Sequence, residues 1–381
     1  MSKVELTLVP DYVPSWTIVD AAREFFQNAF DQEAMDAARV ANWSYDADSE
    51  TLTISNKATK LSIQSLLLGS TSKADNESTI GQFGEGYKVA TLVFLRNGKE
   101  VVFYNNKAHE VWCPRFVKSR RFNTDVLTFF IKPTGLCGRG ACEAGDEDSL
   151  VIKVSGITQQ EYEEQIKPSV LQLRDDYNVV ESTSLGDIID LPGKVFVNGL
   201  FVCDYEPYTY GYNFKPGVLE LDRDRKLASD FNLKWLASSM WRVSGNTDKV
   251  LELAEQGAAD VAYLSECCYG GSAERWSSAA LEKFIKEYGN RAVPVVNQEE
   301  LDIVPAGYTG IVVSGSIYKL LQAAGLNVST VVQDKDEEST PGLDSLQDWF
   351  DTIKDMISSR RVAQFYKIKE ELRNEIMQRN S

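Results

Sequence analysis

The sequence predicts an α/β protein. Residues 17–40 repeat apolar side chains at helical spacing, β-rich runs fill 100–155, and strand-like and helix-like stretches alternate as far as residue 325. Length adds to this, because 381 residues suffice for two or three domains that each bury a core.

In chain order, residues 4–8 (VELTL) alternate like a strand, and DYVPSW leads into the helix of 17–40. Ala21, Ala22, Phe26, Ala29, Phe30 and Ala37 supply that helix with an apolar face. WSYDADSETLTIS reads as a hairpin around an Asp- and Ser-rich turn, and LSIQSLLLG as a short helix ending at Gly69. After a polar, glycine-punctuated loop (70–86), YKVATLVFL reads as a buried helix. EVVFYNN, HEVWCPRFV, DVLTFFIKP and SLVIKVSG then read as strands. Thr158 with Glu161 three residues on opens a helix over ITQQEYEEQIKPSVLQL with a capping-box spacing. Asn198-Gly199 between two apolar runs marks a hairpin. Residues 228–288 read as helical with a break near CCYGGSA, 293–325 as strand, turn, strand and helix, and DKDEESTPG as an acidic linker before a long charged amphipathic segment.

Composition narrows the function. Asp and Glu number 56 against 40 Lys and Arg, a net charge of −16, which argues against a general nucleic-acid coat while leaving room for a local basic groove. No apolar run of about eighteen residues occurs and no secretory pattern opens the chain, so a cytoplasmic protein is expected. The six cysteines read as reduced structural thiols. Cys137 and Cys142 flank a GRGA turn, but zinc needs four ligands and His109 is the only histidine.

Three motifs carry chemistry. Glu24, Asn28 and Asp31 stand at i, i+4 and i+7 on the first long helix, which places them on one stripe. A carboxylate beside a carboxamide suits a general base paired with a Mg²⁺ ligand, since magnesium keeps several waters and needs few protein oxygens. An ordinary amphipathic helix with a solvated polar face has the same spacing. Gly81-Gln82-Phe83-Gly84-Glu85-Gly86-Tyr87-Lys88 precedes an apolar helix, where backbone amides and the helix N-terminus attract an anion. No strand runs into these glycines, as a dinucleotide fold requires, and no GxxxxGK[ST] is present. Gly69-Ser70-Thr71-Ser72-Lys73 adds hydroxyls and a cation able to meet phosphate oxygens, or to form a solvated helix end.

In order, spacing and residue type, these motifs resemble the Bergerat-type ATP site of the gyrase, chaperone, histidine kinase and MutL (GHKL) superfamily, over residues 10–160. The resemblance implies an α/β sandwich that binds ATP and Mg²⁺. Glu24 would activate water and Asn28 ligate magnesium, with Asp31 completing the ExxxNAxD box. Ser72 and Lys73 would begin the ATP lid, and Gly81 to Lys88 would wrap the triphosphate. The family's DxGxG box departs here: Asn56 takes the aspartate's place, and Ala58 and Lys60 replace the glycines. An asparagine carbonyl can still accept from the adenine amino group, and its NH₂ can donate to a ring nitrogen.

The resemblance also implies a Bergerat-type ATP-binding domain over 1–180 and a transducer-like α/β domain over 181–290 with Arg223 and Arg225 as candidate phosphate cations, and the pattern of the remaining residues adds a small α/β and helical region over 291–381. Self-pairing of the Asp222-Arg223-Asp224-Arg225 alternation is the other reading of those arginines. His109, in a β-rich run, does not suit a phosphoacceptor on a dimerising helix. The chain looks like a short, stand-alone phage or bacterial member. The function expected is a slow Mg²⁺-dependent ATPase whose nucleotide state switches its conformation or its association with a protein partner or a second copy. The alternatives are a nucleotide-sensing or hydrolysis-inactive scaffold, and a kinase acting in trans. Nucleic acid is not the favoured partner and a membrane is not expected.

Overall fold

The computed structural model describes residues 2–66, 86–134, 149–221, 229–264, 272–305 and 307–328, with 346, 349–350, 354, 361, 364–369 and 372. The chain divides into two compact units, Met1–Leu253 with Ala258–Cys267, and Ala254–Gly257 with Cys268–Ser381.

In the first unit, a seven-stranded antiparallel sheet has the order β1-β6-β5-β4-β7-β3-β2. Its strands are β1 (Ser2–Glu5), β2 (Ala41–Asp46), β3 (Thr51–Lys57), β4 (Glu100–Asn105), β5 (Glu110–Lys118), β6 (Asp125–Pro133) and β7 (Ser149–Ser155). Helices α1 (Ile18–Met35) and α2 (Gly86–Arg96) pack on each other and on the sheet. Phe25, Phe26, Ala22 and Phe94 from the helices meet Leu52, Phe103, Trp112 and Phe129 from the strands in one buried core. The expected α/β layering of this region is therefore present.

Helix α1 is shorter than its apolar repeat suggests. The Asp36 side chain takes the backbone N–H of Ala38 at 3.0 Å, and Arg39 N–H reaches Asp36 O at 2.8 Å, so a turn replaces the last helical residues. The helix expected after Thr158 keeps its capping box but not its regularity. It begins as one turn, α3 (Gln159–Glu161), widens to a π-helical stretch over Tyr162–Ile166 and tightens to 3-10 turns. Pro168 lies in this run, and proline has no N–H to continue an α-helical ladder.

A second, five-stranded sheet follows in the order β11-β10-β12-β9-β8, made of β8 (Val179–Ser182), β9 (Gly186–Ile189), β10 (Lys194–Val197), β11 (Leu200–Asp204) and β12 (Gly211–Phe214). The turn joining β10 to β11 has Asn198 and Gly199 both left-handed, at φ 49° and 77°, as a two-residue hairpin of this sequence requires. Helices α4 (Asp230–Ser244) and α5 (Thr247–Glu255) come next. Asp260 is fully buried and takes hydrogen bonds from Thr209 N, Tyr210 N and the Tyr212 hydroxyl, which fixes the β11–β12 connection.

In the second unit, α6 (Ser272–Tyr288), α7 (Gln298–Asp302) and α8 (Gly315–Ala323) accompany a parallel pair, β13 (Ala292–Val295) and β14 (Thr309–Val312). Helix α6 thus lies in this unit, although the sequence reading places its residues with 181–290. The turn expected between the two strands contains α7, a crossover that parallel pairing demands. No helix among the described residues is long and apolar enough to cross a membrane.

Candidate functional site

The site is built on α1. Its first turn is held by Asp20, whose carboxylate accepts from the Thr17 backbone N–H at 2.8 Å. Phenylalanines and alanines take one flank into the core, and the 24/28/31 stripe lies on the other flank, as the spacing predicts. Glu24 and Asp31 are nevertheless buried, at 2% and 0% exposure, and only Asn28 is partly exposed.

Glu24 meets the start of α2. A methyl group added at Gly86 would overlap Oε2 of Glu24 outright and stand 2.9 Å from its Cδ. The carboxylate therefore occupies the space that the missing side chain leaves. Asn28 is pinned by its nitrogen, with Nδ2 donating to Glu24 O at 2.7 Å. Its Oδ1, the atom magnesium would take, is the other end of the carboxamide.

Asn56 on β3 is buried and donates from Nδ2 to two main-chain carbonyls, Ala29 O at 2.9 Å and Arg39 O at 3.0 Å. Both amide protons are thereby committed. This corrects the expectation that the NH₂ is available to a ring nitrogen, and leaves Oδ1 as the group this side chain can present to a base. Two residues on, Ala58 has φ 51°, the left-handed conformation natural to the glycine that the resembled motif has here.

Tyr87 and Lys88 lie in the first turn of α2. The Tyr87 hydroxyl donates to Ser65 O at 2.8 Å, and burial pushes its pKa well above the ordinary tyrosine range. Lys88 is fully buried with its Nζ 5.6 Å from the Tyr87 ring centroid. A buried ammonium survives only with compensation, and the neighbouring helix α1 carries two buried carboxylates, Glu24 and Asp31. Ser72, Lys73, Gly81, Gln82, Phe83, Gly84, Glu85, Arg223 and Arg225 lie outside the described residues. His109 has φ 54° and ends a 3-10 turn, not a helix that could present it for phosphorylation.

Sequence reasoning missed three residues here. Gln27 is 1% exposed, and its Oε1 accepts no hydrogen bond among the described residues. Its i+3 relation to Glu24 was a usable signal. Asn105, fully buried, clamps the segment after Asn56 by exchanging hydrogen bonds of 3.0 Å with the backbone N–H and carbonyl of Leu61. Arg96, at the end of α2, donates to Pro10 O, Tyr12 O, Val13 O and Trp16 O, and so holds the loop that delivers the chain to α1. Nothing local announces either clamp.

No family model matches the chain. An uncharacterized protein of Mycoplasma pneumoniae is 25% identical over 230 residues, covering 58% of this chain and 89% of its own length. Among solved structures, the ATPase region of Saccharomyces cerevisiae topoisomerase II bound to ICRF-187 (dexrazoxane) matches 49% of this chain and 62% of that chain, at 11% identity and a TM-score of 0.31. The ATPase and transducer domains of DNA topoisomerase II from Balamuthia mandrillaris match 50% of this chain and 61% of that chain, at 14% identity and a TM-score of 0.31. The chain thus spans about three fifths of the length of the solved chains it matches.

Proposed function

We propose that the first unit binds ATP with Mg²⁺ and hydrolyses it slowly, with Glu24 as the base. The observation that carries this reading is the placement of Glu24 against Gly86. A buried carboxylate there faces a helix start that has no side chain to cover it. Such a carboxylate can take a proton from an attacking water, while exclusion of bulk solvent strengthens its electrostatic grip.

The residues present fit the groups that the reading needs. Asn28 Oδ1 would hold Mg²⁺ from a carboxamide already oriented by its bond to Glu24 O. When bound, the ion neutralises charge on the phosphate oxygens. Asn56 Oδ1 would accept from the exocyclic amino group of adenine. With both Nδ2 protons held by Ala29 O and Arg39 O, this side chain has no donor for the O6 of guanine, so adenine is preferred over guanine. The proposal extends to a switch in which nucleotide state alters conformation or association with a protein partner or a second copy.

Isothermal titration with a non-hydrolysable ATP analogue tests the reading. Binding should need Mg²⁺, exceed binding of the guanine analogue, and weaken about tenfold or more in Asn28→Ala. Absence of heat from folded protein at every concentration would refute ATP binding and favour a nucleotide-independent scaffold.

A further inference from the structure

We propose that the β5–β6 hairpin tip is a docking site for single-stranded nucleic acid, with basic side chains on the phosphates and Phe122 stacked on an unpaired base. The turn Lys118-Ser119-Arg120-Arg121-Phe122-Asn123 joins the two strands. Lys118, Arg120, Arg121 and Phe122 are all exposed, Phe122 by 45%. Arg115, three residues back on β5, is also exposed and stacks over Phe130 at 4.0 Å.

Three features separate this tip from an ordinary solvated turn. First, it concentrates cations in a chain of net charge −16, while the single carboxylate in 115–125 is Asp125. Second, none of Arg115, Lys118, Arg120 and Arg121 has an ion pair among the described residues. Many cations elsewhere are committed, as in Lys99–Glu161, Arg174–Asp176 and Lys194–Asp204. The nearby carboxylate of Glu5 is engaged by Lys3 at 2.6 Å and by Ser119 Oγ at 3.2 Å. Third, the tip is ordered by its own backbone. Ser119 N–H donates to Thr124 O and Asn123 N–H to Ser119 O, both at 2.9 Å, with Asn123 in the left-handed region at φ 52°.

Phe122 is exposed on this preformed turn and lies outside the buried core. The Arg121 guanidinium lies 5.2 Å from its ring centroid, so cation and π-face are presented together. Phosphates take the cations and an unstacked base takes the ring, a combination that single strands offer and duplexes hide. The acidic remainder of the chain repels phosphate, which confines binding to the tip and makes it strongly salt-dependent.

The test uses the full chain, without nucleotide, and a fluorescein-labelled oligothymidylate of about twenty nucleotides, followed by anisotropy from about 50 to 200 mM salt. With about three phosphates engaged, the logarithmic salt slope should be about −2. The double variant Arg120→Glu/Arg121→Glu should weaken binding at least about tenfold and flatten the slope. Phe122→Ala should weaken it about tenfold with the slope unchanged. Lys286→Glu, at an exposed position in the second unit, should leave affinity unaltered. Equal binding by the double variant, or no binding at low salt, would overturn the proposal. Displacement by polyglutamate as effectively as by oligothymidylate would also overturn it and assign the tip to an acidic protein. Because the titration contains no ATP, its result is independent of the function proposed for Glu24.

Discussion

The carboxylate of Glu24 on α1 fills the space beside Gly86, the first residue of α2, so any side chain at position 86 displaces it. The atom in the way is the far end of a flexible side chain, so the fold can absorb the change while the carboxylate cannot keep its place. Gly86→Ala should therefore keep its thermal midpoint within a few degrees. Turnover should fall about a hundredfold, the scale on which a misplaced catalytic group acts. In a Glu24→Ala background the same substitution should have no further effect on turnover. Steady-state phosphate release from the four proteins closes the cycle, and additive losses would separate Gly86 from Glu24.

An aspartate at position 56 should harm this protein. Asn56→Asp removes both donors to Ala29 O and Arg39 O and sets a buried carboxylate beside two carbonyl oxygens. Lost hydrogen bonds and carbonyl repulsion should cost about 2 kcal/mol or more. Denaturant unfolding of the two proteins measures the loss. Equal or greater stability in the aspartate form would mean that the two carbonyls are not the partners that select asparagine.

Those two positions show what the sequence could and could not disclose. The Glu24/Asn28/Asp31 stripe and the Asn198-Gly199 turn were legible because their geometry follows from spacing and local backbone preference. The Thr158–Glu161 capping box was legible for the same reason, although the helix behind it is irregular. The partners of Asn56 lie 27 and 17 residues away and those of Arg96 between 80 and 86, so only the folded chain brings them together. Burial of Glu24, Gln27 and Lys88 escaped the sequence reading because it depends on how α1 and α2 pack, while periodicity assigns polar residues to solvent.

Ala58 carries a backbone conformation that alanine resists. Left-handed φ costs a non-glycine residue about 1–2 kcal/mol, partly offset by the greater chain entropy glycine loses on folding. Ala58→Gly should raise stability by up to about 1 kcal/mol, and Ala58→Val, with a branched Cβ, should lower it by more than that. Thermal unfolding should show midpoint shifts of opposite sign. A fall on introducing glycine would contradict the left-handed geometry.

Arg96 serves four carbonyls in the loop before α1, and Val13 in that loop is itself left-handed at φ 50°, an uncommon state for a β-branched residue. The planar guanidinium reaches several acceptors at once, which a lysine ammonium cannot reproduce. Arg96→Lys should therefore release the loop and cost about 2 kcal/mol. Limited proteolysis should cut between residues 9 and 16 faster in the variant than in the parent. Unchanged cleavage would show that packing of Tyr12 and Trp16 on the core suffices to hold the loop.

Acid should weaken the first unit partly through Glu161. Burial pushes this carboxyl up, but the Lys99 ammonium at 2.6 Å and the backbone N–H of Thr158 at 2.8 Å outweigh it, and its pKa lies below the ordinary value of 4.5. A carboxyl with a lower pKa when folded binds fewer protons in the native state than in the unfolded one. Its stabilisation is therefore present above pH 4.5 and is lost as pH falls through the folded value. Glu161→Gln keeps an oxygen for Thr158 N–H while removing the charge that Lys99 faces. The variant should be less stable than the parent at neutral pH, and the two thermal midpoints should converge below pH 4.5. A difference that persists unchanged into acid would mean that Glu161 acts through shape and capping alone, and that its charge adds nothing to the fold.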